Sequence, residues 1–304
     1  MMRIRGINLS EEDVARIRSA EPLSGTAARE VLRERFTARA EALAARGVQP
    51  TLAMVRVEGD AASESYAKST VKECERCGIF GRIVTLPEQA GQHQLLDSLS
   101  RLNGDVSAHG VILLGPLPKG PAADPYQEAA AKARISPSKD LDALSPENTA
   151  AFYLKGGSPR FYPPTIGGAL LALDLYGIDV RGARAAVMGR GNLVGRPMGI
   201  ALMDEYDCTV TYLHTRSKEP SKVLLAAEVI VGATGKPHIL GADDVPHGAI
   251  LLDMGVHFRD GKTVGEFTPE AYRKARVALK TPGGSGVMTV CYLMHNCLLA
   301  AESR

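Results

Sequence analysis

Tryptophan is absent from this sequence, and aromatic residues make up only 5% of it. With so few ring faces, a platform that stacks nucleic-acid bases is not expected, and no nucleic-acid partner is assigned. Cysteine is scarce: five residues, an odd number thinly spread. Such a set makes no disulfide framework and suits a reducing compartment, so the expected location is cytoplasmic. No run of about 18 apolar residues occurs, which excludes a transmembrane helix, and no membrane partner is expected. Residues Met1 to Arg18 carry arginines but no apolar segment and no small-residue cleavage site, which argues against a secretory leader. An excess of one charge is lacking too. The 36 Lys and Arg against 34 Asp and Glu leave +2, a balance that by itself marks no polyanionic surface.

What remains is an ordered globular chain of 304 residues, 45% hydrophobic and 23% charged. At roughly 150 residues per domain its length suits about two domains. Short apolar runs alternate with helical stretches, the pattern of an α/β protein with a largely parallel sheet. Ser10 to Asp13 reads as a capping box that opens a short helix. A longer helix is predicted from Ala27 to Arg46, with Gly47 as its C-terminal cap. Strands are predicted at Thr51–Val57, Ile79–Leu86 and Gly110–Leu114, with helices at Ala62–Cys77 and Gln92–Leu102. The prolines of Gly115 to Pro121 continue neither a strand nor a helix. A loop therefore leaves the end of the third strand, where open α/β sheets hold ligands.

The stretch Gly156 to Pro164 reads as an interdomain link. Beyond a helix at Thr165–Tyr176, strands are predicted at Arg184–Met188, Cys208–Leu213, Val229–Gly232 and Ile250–Met254. A last helix spans Met288–Ala300. The turn Gly189-Arg190-Gly191-Asn192-Leu193-Val194-Gly195 joins the first of these strands to a helix. Glycines there let a backbone approach a pyrophosphate, whose charge the helix N-terminus favours. The spacing is one residue longer than the usual dinucleotide fingerprint, and an ordinary βα turn is the alternative. The next strand ends in Leu213-His214-Thr215-Arg216-Ser217, without the acid that usually holds a ribose hydroxyl. Arg216, Arg190 and the neighbouring hydroxyls suit a 2′-phosphate, so NADP is preferred and NAD remains possible. The alternative for Arg216 is a solvated surface residue.

Several segments, taken in order, point to one family. They are Ala62 to Tyr66, Pro116-Leu117-Pro118, Lys139-Asp140-Leu141-Asp142, Val194 to Met198, Gly235-Lys236-Pro237, Asp253-Met254-Gly255 and Pro282 to Thr289. Over nearly its whole length the chain resembles the methylenetetrahydrofolate dehydrogenase/methenyltetrahydrofolate cyclohydrolase family. The resemblance implies a two-domain α/β fold. A folate-binding catalytic domain spans 1–157 and 285–304, and a Rossmann-type NADP-binding domain spans 158–284. The C-terminal helix returns to the first domain, and folate lies in the cleft between the two. The resemblance also implies a homodimer.

By position, Tyr66 matches the tyrosine that stacks on the folate ring, and Asp142 the aspartate that bonds the pterin. Pro282, Gly283 and Gly284 match the loop that closes over the substrate. Gly189, Arg190, Gly191, Val194, Gly195, His214, Thr215, Arg216 and Val256 make up the cofactor set. The bifunctional members carry a lysine where this chain has Thr70 and a glutamine where it has Leu114. His109 replaces an aspartate, and Val287 a proline.

The chemistry explains why those departures matter. Loss of hydride from methylenetetrahydrofolate leaves an amidinium cation that two nitrogens already stabilise, so positioning supplies most of that step. Hydrolysis of the cation adds water, removes a proton and breaks a C–N bond, which needs a placed acid or base. In the family that group is the lysine missing here, held by the missing glutamine. Lys68 and Lys72 are turned from Tyr66 by about 200° and 600° at about 100° per residue and face elsewhere. The expected activity is therefore NADP-dependent oxidation of methylenetetrahydrofolate with weak or absent cyclohydrolase activity. A separate cyclohydrolase in the same cell, or spontaneous hydrolysis, would complete the pathway.

Two rival readings stay open. One is a dehydrogenase for a modified pterin or another one-carbon carrier. The other is a catalytically silent paralogue that binds folate or NADP. Cys74 and Cys77 form a C-x-x-C pair without a second pair, and the seven histidines show no ligand spacing, so no metal is assigned. His109 reads as a core histidine or as a pH-sensitive contact.

Overall fold

A computed structural model describes residues 2–157, 159–259 and 261–303. Ser158, in the expected link, lies outside them. The chain opens with β1 (Met2–Ile4), β2 (Ile7–Leu9), α1 (Glu11–Arg18) and α2 (Gly25–Ala44). It continues with β3 (Thr51–Val57), α3 (Ala61–Arg76), β4 (Phe80–Leu86), α4 (Gly91–Gly104), β5 (Gly110–Leu113), α5 (Glu128–Arg134) and α6 (Pro146–Tyr153). Next come α7 (Pro164–Tyr176), β6 (Arg184–Met188), α8 (Gly195–Tyr206), β7 (Thr209–Leu213), α9 (Pro220–Ala226), β8 (Val229–Gly232) and β9 (Ile250–Asp253). The hairpin β10 (His257–Arg259) and β11 (Lys262–Val264) precedes α10 (Pro269–Lys274), β12 (Val277–Leu279) and α11 (Ser285–Glu302).

Two compact units result: Met1–Val31 with Thr165–Cys291, and Leu32–Pro164 with Tyr292–Arg304. The family resemblance implies breaks at 157/158 and 284/285. Two of the contact boundaries fall within α2 and α11.

In the second unit, β4, β3 and β5 form a parallel sheet in that order. Its centre, β3, is buried at every residue, as an apolar, β-branched strand covered on both faces must be. Val55, Val57, Leu95, Leu99, Val111, Leu113 and Ala131 share one core, which sets α4 and α5 against the sheet. Asp60 caps α3 by accepting from the Ser63 amide at 2.7 Å. The Arg33 guanidinium grips the Glu73 carboxylate with bonds of 2.6 and 2.7 Å, tying α2 to α3. At the far end of α11, the Asn296 amide donates to the carbonyls of Leu141 and Tyr162, both at 2.9 Å.

In the first unit, five parallel strands run in the order β12-β9-β8-β6-β7. The expected capping box is present: Ser10 Oγ accepts from the Asp13 amide at 3.1 Å, and the Ser10 amide donates to Asp13 Oδ2 at 2.7 Å. Arg5, at the tip of the β1–β2 hairpin, donates to Glu205 at 2.7 Å and to the Tyr206 hydroxyl at 2.8 Å, and pairs with Asp174 at 2.7 Å. Those bonds fasten the hairpin to α7 and α8. Among the described residues no helix is long and apolar enough to cross a membrane.

Candidate dinucleotide and substrate sites

Parallel pairing brings the C-terminal ends of the strands to one edge in the first unit. Gly189 donates to the Leu213 carbonyl at 2.9 Å, Ala233 to Met188 at 2.8 Å, and Met254 to Gly232 at 3.0 Å. The glycine turn, the His214–Ser217 turn and the Val256 segment therefore follow neighbouring strands at that edge, as the fold demands of a dinucleotide site. Gly189 has φ +108°, and a Cβ on it would collide with the Ala233 carbonyl. A Cβ on Gly195 would lie 2.5 Å from the Gly189 carbonyl. These two glycines are required by the fold of the turn itself. Gly191 differs: a Cβ there would meet nothing within 4 Å.

Helix α8 begins at Gly195 with no side chain capping it; the Arg196 amide donates to the Gly191 carbonyl at 3.0 Å and the Met198 amide to the Val194 carbonyl at 2.9 Å, and Pro197 has no N–H, which leaves the Gly195 amide of the first turn to meet an anion. Arg190, Thr215 and Arg216 are exposed. Among the described residues neither arginine is held in an ion pair. The His214–Ser217 turn is fixed internally. Ser217 Oγ accepts from the His214 amide at 3.0 Å, and His214 Nδ1 accepts from the Arg216 amide at 3.1 Å. The arrangement fits a dinucleotide with an anionic group at its ribose end. A separate recess of about 440 Å³, walled in part by Arg181, Arg184, His247 and Arg276, opens at the opposite ends of the strands and takes no part in this edge.

Sequence reading overlooked the groups that hold this edge from behind. Glu266 is fully buried. Its carboxylate accepts from the Thr234 amide at 2.8 Å, the Thr234 hydroxyl at 2.9 Å and the Gly235 amide at 2.7 Å. Asp253, buried at the end of β9, accepts from the amides of Glu266 and Phe267 and from the Tyr272 hydroxyl. Burial raises the Asp253 carboxyl above its ordinary range, and those donors oppose the rise. That Glu266, held by Asp253, braces the Thr234–Gly235 turn could not be read from the sequence.

Pro282 and Gly283 are exposed at the start of α11. The Thr281 hydroxyl donates to the Asp253 carbonyl at 3.0 Å and lies 2.7 Å from Ser285 Oγ. A Cβ on Gly25 would lie 2.6 Å from the Gly284 carbonyl, so the start of α2 is packed against this loop.

The second unit gathers Tyr66, Thr70 and Asp142. Tyr66 and Thr70 are one turn apart on α3. Lys68 is exposed and bonded to Glu64, and Lys72 is exposed, so both point away as the helical spacing predicts. Thr70 is fully buried, and its hydroxyl has no hydrogen-bond partner of normal geometry. It still lies near enough to the Tyr66 phenol to counter the rise that burial and the Asp142 charge impose on it. Leu114 is buried at the end of β5, its amide bonded to the Val55 carbonyl at 2.8 Å. His109 is buried at the other end of that strand.

The Lys139–Asp142 segment divides its work. Lys139 Nζ donates to the carbonyls of Leu102 and Asp105, both at 2.7 Å. Asp140 accepts from the Ser145 amide at 2.7 Å and the Asn148 side chain at 3.0 Å, while Leu141 is core. Asp142 alone is left half-buried without a hydrogen-bond partner among the described residues. Burial, reinforced by Asp140 and opposed by Lys132, pushes its carboxyl up to about 7. A half-buried carboxyl with unused acceptors is suited to binding a ligand's N–H groups.

Residues 163–304 match the model of the tetrahydrofolate dehydrogenase/cyclohydrolase NAD(P)-binding domain, and residues 23–142 match that of the catalytic domain. The chain belongs to the tetrahydrofolate dehydrogenase/cyclohydrolase family. The bifunctional protein FolD of Roseiflexus castenholzii is 38% identical over 283 residues, covering 92% of this chain and 96% of that protein. The bifunctional enzyme FolD of Campylobacter jejuni has a similar solved structure, with a TM-score of 0.85 and 32% identity over 93% of this chain and 98% of that one. FolD from Trypanosoma brucei, solved with NADP cofactor and inhibitor, gives a TM-score of 0.86 at 27% identity, again over 93% and 98%. For this member of the tetrahydrofolate dehydrogenase/cyclohydrolase family, the two-domain α/β fold expected from sequence is confirmed. The open cation edge of one unit and the orphaned carboxyl of the other are its two candidate binding features.

Proposed function

We propose that the protein oxidises 5,10-methylenetetrahydrofolate to 5,10-methenyltetrahydrofolate with NADP and hydrolyses the product weakly or not at all. The proposal takes it as a cytoplasmic homodimer. The functional division retained is 1–157 with 285–304 for folate and 158–284 for NADP. The observation that carries the reading is the contrast at α3: Tyr66 and Asp142 are together, while the adjoining position holds an unprotonatable, buried Thr70.

A bound nicotinamide would accept the hydride. Gly189, Gly191, Val194 and Gly195 would cradle the pyrophosphate at the start of α8, and Val256 would flank the cofactor. Arg190, His214, Thr215 and Arg216 would hold the 2′-phosphate, two guanidinium groups being well suited to phosphate. Tyr66 would stack on the pterin, Asp142 would accept its N–H bonds, and Pro282, Gly283 and Gly284 would cover it. Orientation then supplies the hydride step without a protein base. Cyclohydrolysis needs a group that titrates near neutrality, and neither Thr70 nor Leu114 offers one.

Two rates test this on purified protein. One is oxidation of methylenetetrahydrofolate with NADP or NAD; the other is decay of added methenyltetrahydrofolate above its spontaneous rate. Oxidation that prefers NADP, without faster decay, is expected. Accelerated decay would overturn the loss of hydrolysis. No oxidation with either cofactor would turn the reading to another one-carbon carrier or a silent binder.

A further inference from the structure

The Pro282–Gly284 loop has little of its own to hold its shape. Pro282 and Gly283 are exposed, and Gly283 has φ +93° with open space where a Cβ would stand. Glycine loses the most backbone freedom on being fixed, so such a loop keeps one conformation only where its ends are held. Here both ends are held. Thr281 and Ser285, the residues that flank the loop, are buried, and their hydroxyl oxygens lie 2.7 Å apart. The Thr281 hydroxyl also lies 3.0 Å from the Asp253 carbonyl. A carbonyl only accepts and a threonine hydroxyl has one proton, so that proton goes to Asp253 and Ser285 supplies the other bond. Donation therefore runs from Ser285 to Thr281 to Asp253. The Lys280 carbonyl adds a backbone tie, accepting from the Gly284 amide at 2.9 Å and the Ser285 amide at 3.2 Å. Lys280 Nζ bonds Glu21 at 2.6 Å, but both side chains are exposed, and an ion pair so placed adds little.

We propose that Thr281 is a positioning residue for the folate substrate: its hydroxyl, backed by Ser285, clamps the base of the Pro282–Gly284 loop to the carbonyl of Asp253 at the end of β9. This rests on the reading of that loop as the substrate cover. Asp253 serves two structures through different atoms. Its carboxylate accepts from the Glu266 and Phe267 amides behind the cofactor turn, and its carbonyl accepts from Thr281. Removing the Thr281 hydroxyl therefore leaves the carboxylate bonds in place, and the loss falls on the loop. The direction of the hydroxyl chain decides which of its members matters more. Valine at 281 keeps the shape of threonine but removes the donor to Asp253 and the acceptor of Ser285, leaving a buried hydroxyl unpaired. Alanine at 285 removes only the outer bond, and Thr281 still donates to Asp253.

The test uses the full chain and the variants Thr281→Val, Thr281→Ser and Ser285→Ala. Thr281→Val should raise KM for methylenetetrahydrofolate on the order of tenfold, the size expected when a buried hydroxyl is left unpaired. KM for NADP should not change, and kcat should fall less than KM rises. Thr281→Ser, which keeps the donor, should restore the parent value, and Ser285→Ala should give a smaller rise than Thr281→Val. Amide hydrogen exchange gives a second readout that needs no turnover. Added tetrahydrofolate should slow exchange at Gly283 to Gly286 in the parent and in Thr281→Ser, and should do so far less in Thr281→Val. An unchanged KM for the folate in Thr281→Val overturns the proposal. So does an equal rise in KM for folate and NADP, or a failure of Thr281→Ser to restore. If tetrahydrofolate leaves exchange at Gly283 to Gly286 unchanged in the parent, the reading of the loop as the substrate cover fails. If it slows exchange equally in the parent and in Thr281→Val, that reading stands and the clamp alone is overturned.

Discussion

Asp142 illustrates how a binding group opposes the fold that carries it. Its carboxyl is raised to about 7 by burial and Asp140, against roughly 3.9 in an unfolded chain. Between those values the folded chain binds more protons than the unfolded one, so this group's contribution to stability is full below about pH 4 and is lost as pH rises through about 7. Asp142→Asn should therefore raise the melting temperature at pH 8 and leave it nearly unchanged at pH 4, while raising KM for the folate. Equal melting shifts at both pH values would contradict this. At the cofactor edge, Arg190→Ala and Arg216→Ala should each raise KM for NADP by about tenfold, roughly one charge-assisted bond. KM for NAD should not change; equal losses with both cofactors would remove the 2′-phosphate role. At α3, Thr70→Lys combined with Leu114→Gln should increase the decay of methenyltetrahydrofolate above that of the parent. No gain would count against the missing lysine as the reason for weak hydrolysis.

At the scale of elements, the long parallel strands were the most legible part of the sequence. Thr51–Val57, Arg184–Met188 and Val229–Gly232 form over the expected residues, because buried parallel strands demand unbroken apolar, β-branched runs. The hairpins β1–β2 and β10–β11 and strand β12 escaped notice. Each strand has three residues, too few for a period to emerge. The turn of the first hairpin also places Arg5 at φ +47°, where sequence rules look for asparagine or glycine. Helix α5 has seven residues after a stretch broken by proline, too short for a helical period to stand out. The placement of Tyr66, Thr70 and Asp142 along the chain was readable, yet the reason Asp142 is the unbonded member of its segment lies in tertiary bonds to Lys139 and Asp140. The brace behind Thr234 is an element-scale device of the same kind. Glu266→Gln replaces an acceptor by a donor opposite two amides and should cost about 1–3 kcal/mol in urea unfolding. It should also raise KM for NADP. A variant as stable as the parent would remove the bracing role.

For the whole molecule, two compact units carry separate chemical demands. One presents a backbone turn and cations at a sheet edge; the other presents an aromatic ring and a carboxyl near the buried Thr70. A protein organised so should respond to its two ligands separately. NADP at about a hundred times its Kd should stabilise the chain by about 2.7 kcal/mol. The stabilisation should fall in Arg216→Ala and persist in Asp142→Asn. A balanced charge of +2 offers little long-range steering, so cofactor capture should depend on local arginines, with ionic strength acting chiefly through them.

The three glycines of the cofactor turn do not carry equal information about ancestry. Gly189 and Gly195 are demanded by the turn's own geometry, so a lineage that abandoned nucleotide binding would still retain both or lose the sheet. Gly191 borders open space and would drift to larger residues once no ligand needed the room. The middle glycine is thus the position whose freedom to change is set by a ligand and not by the turn.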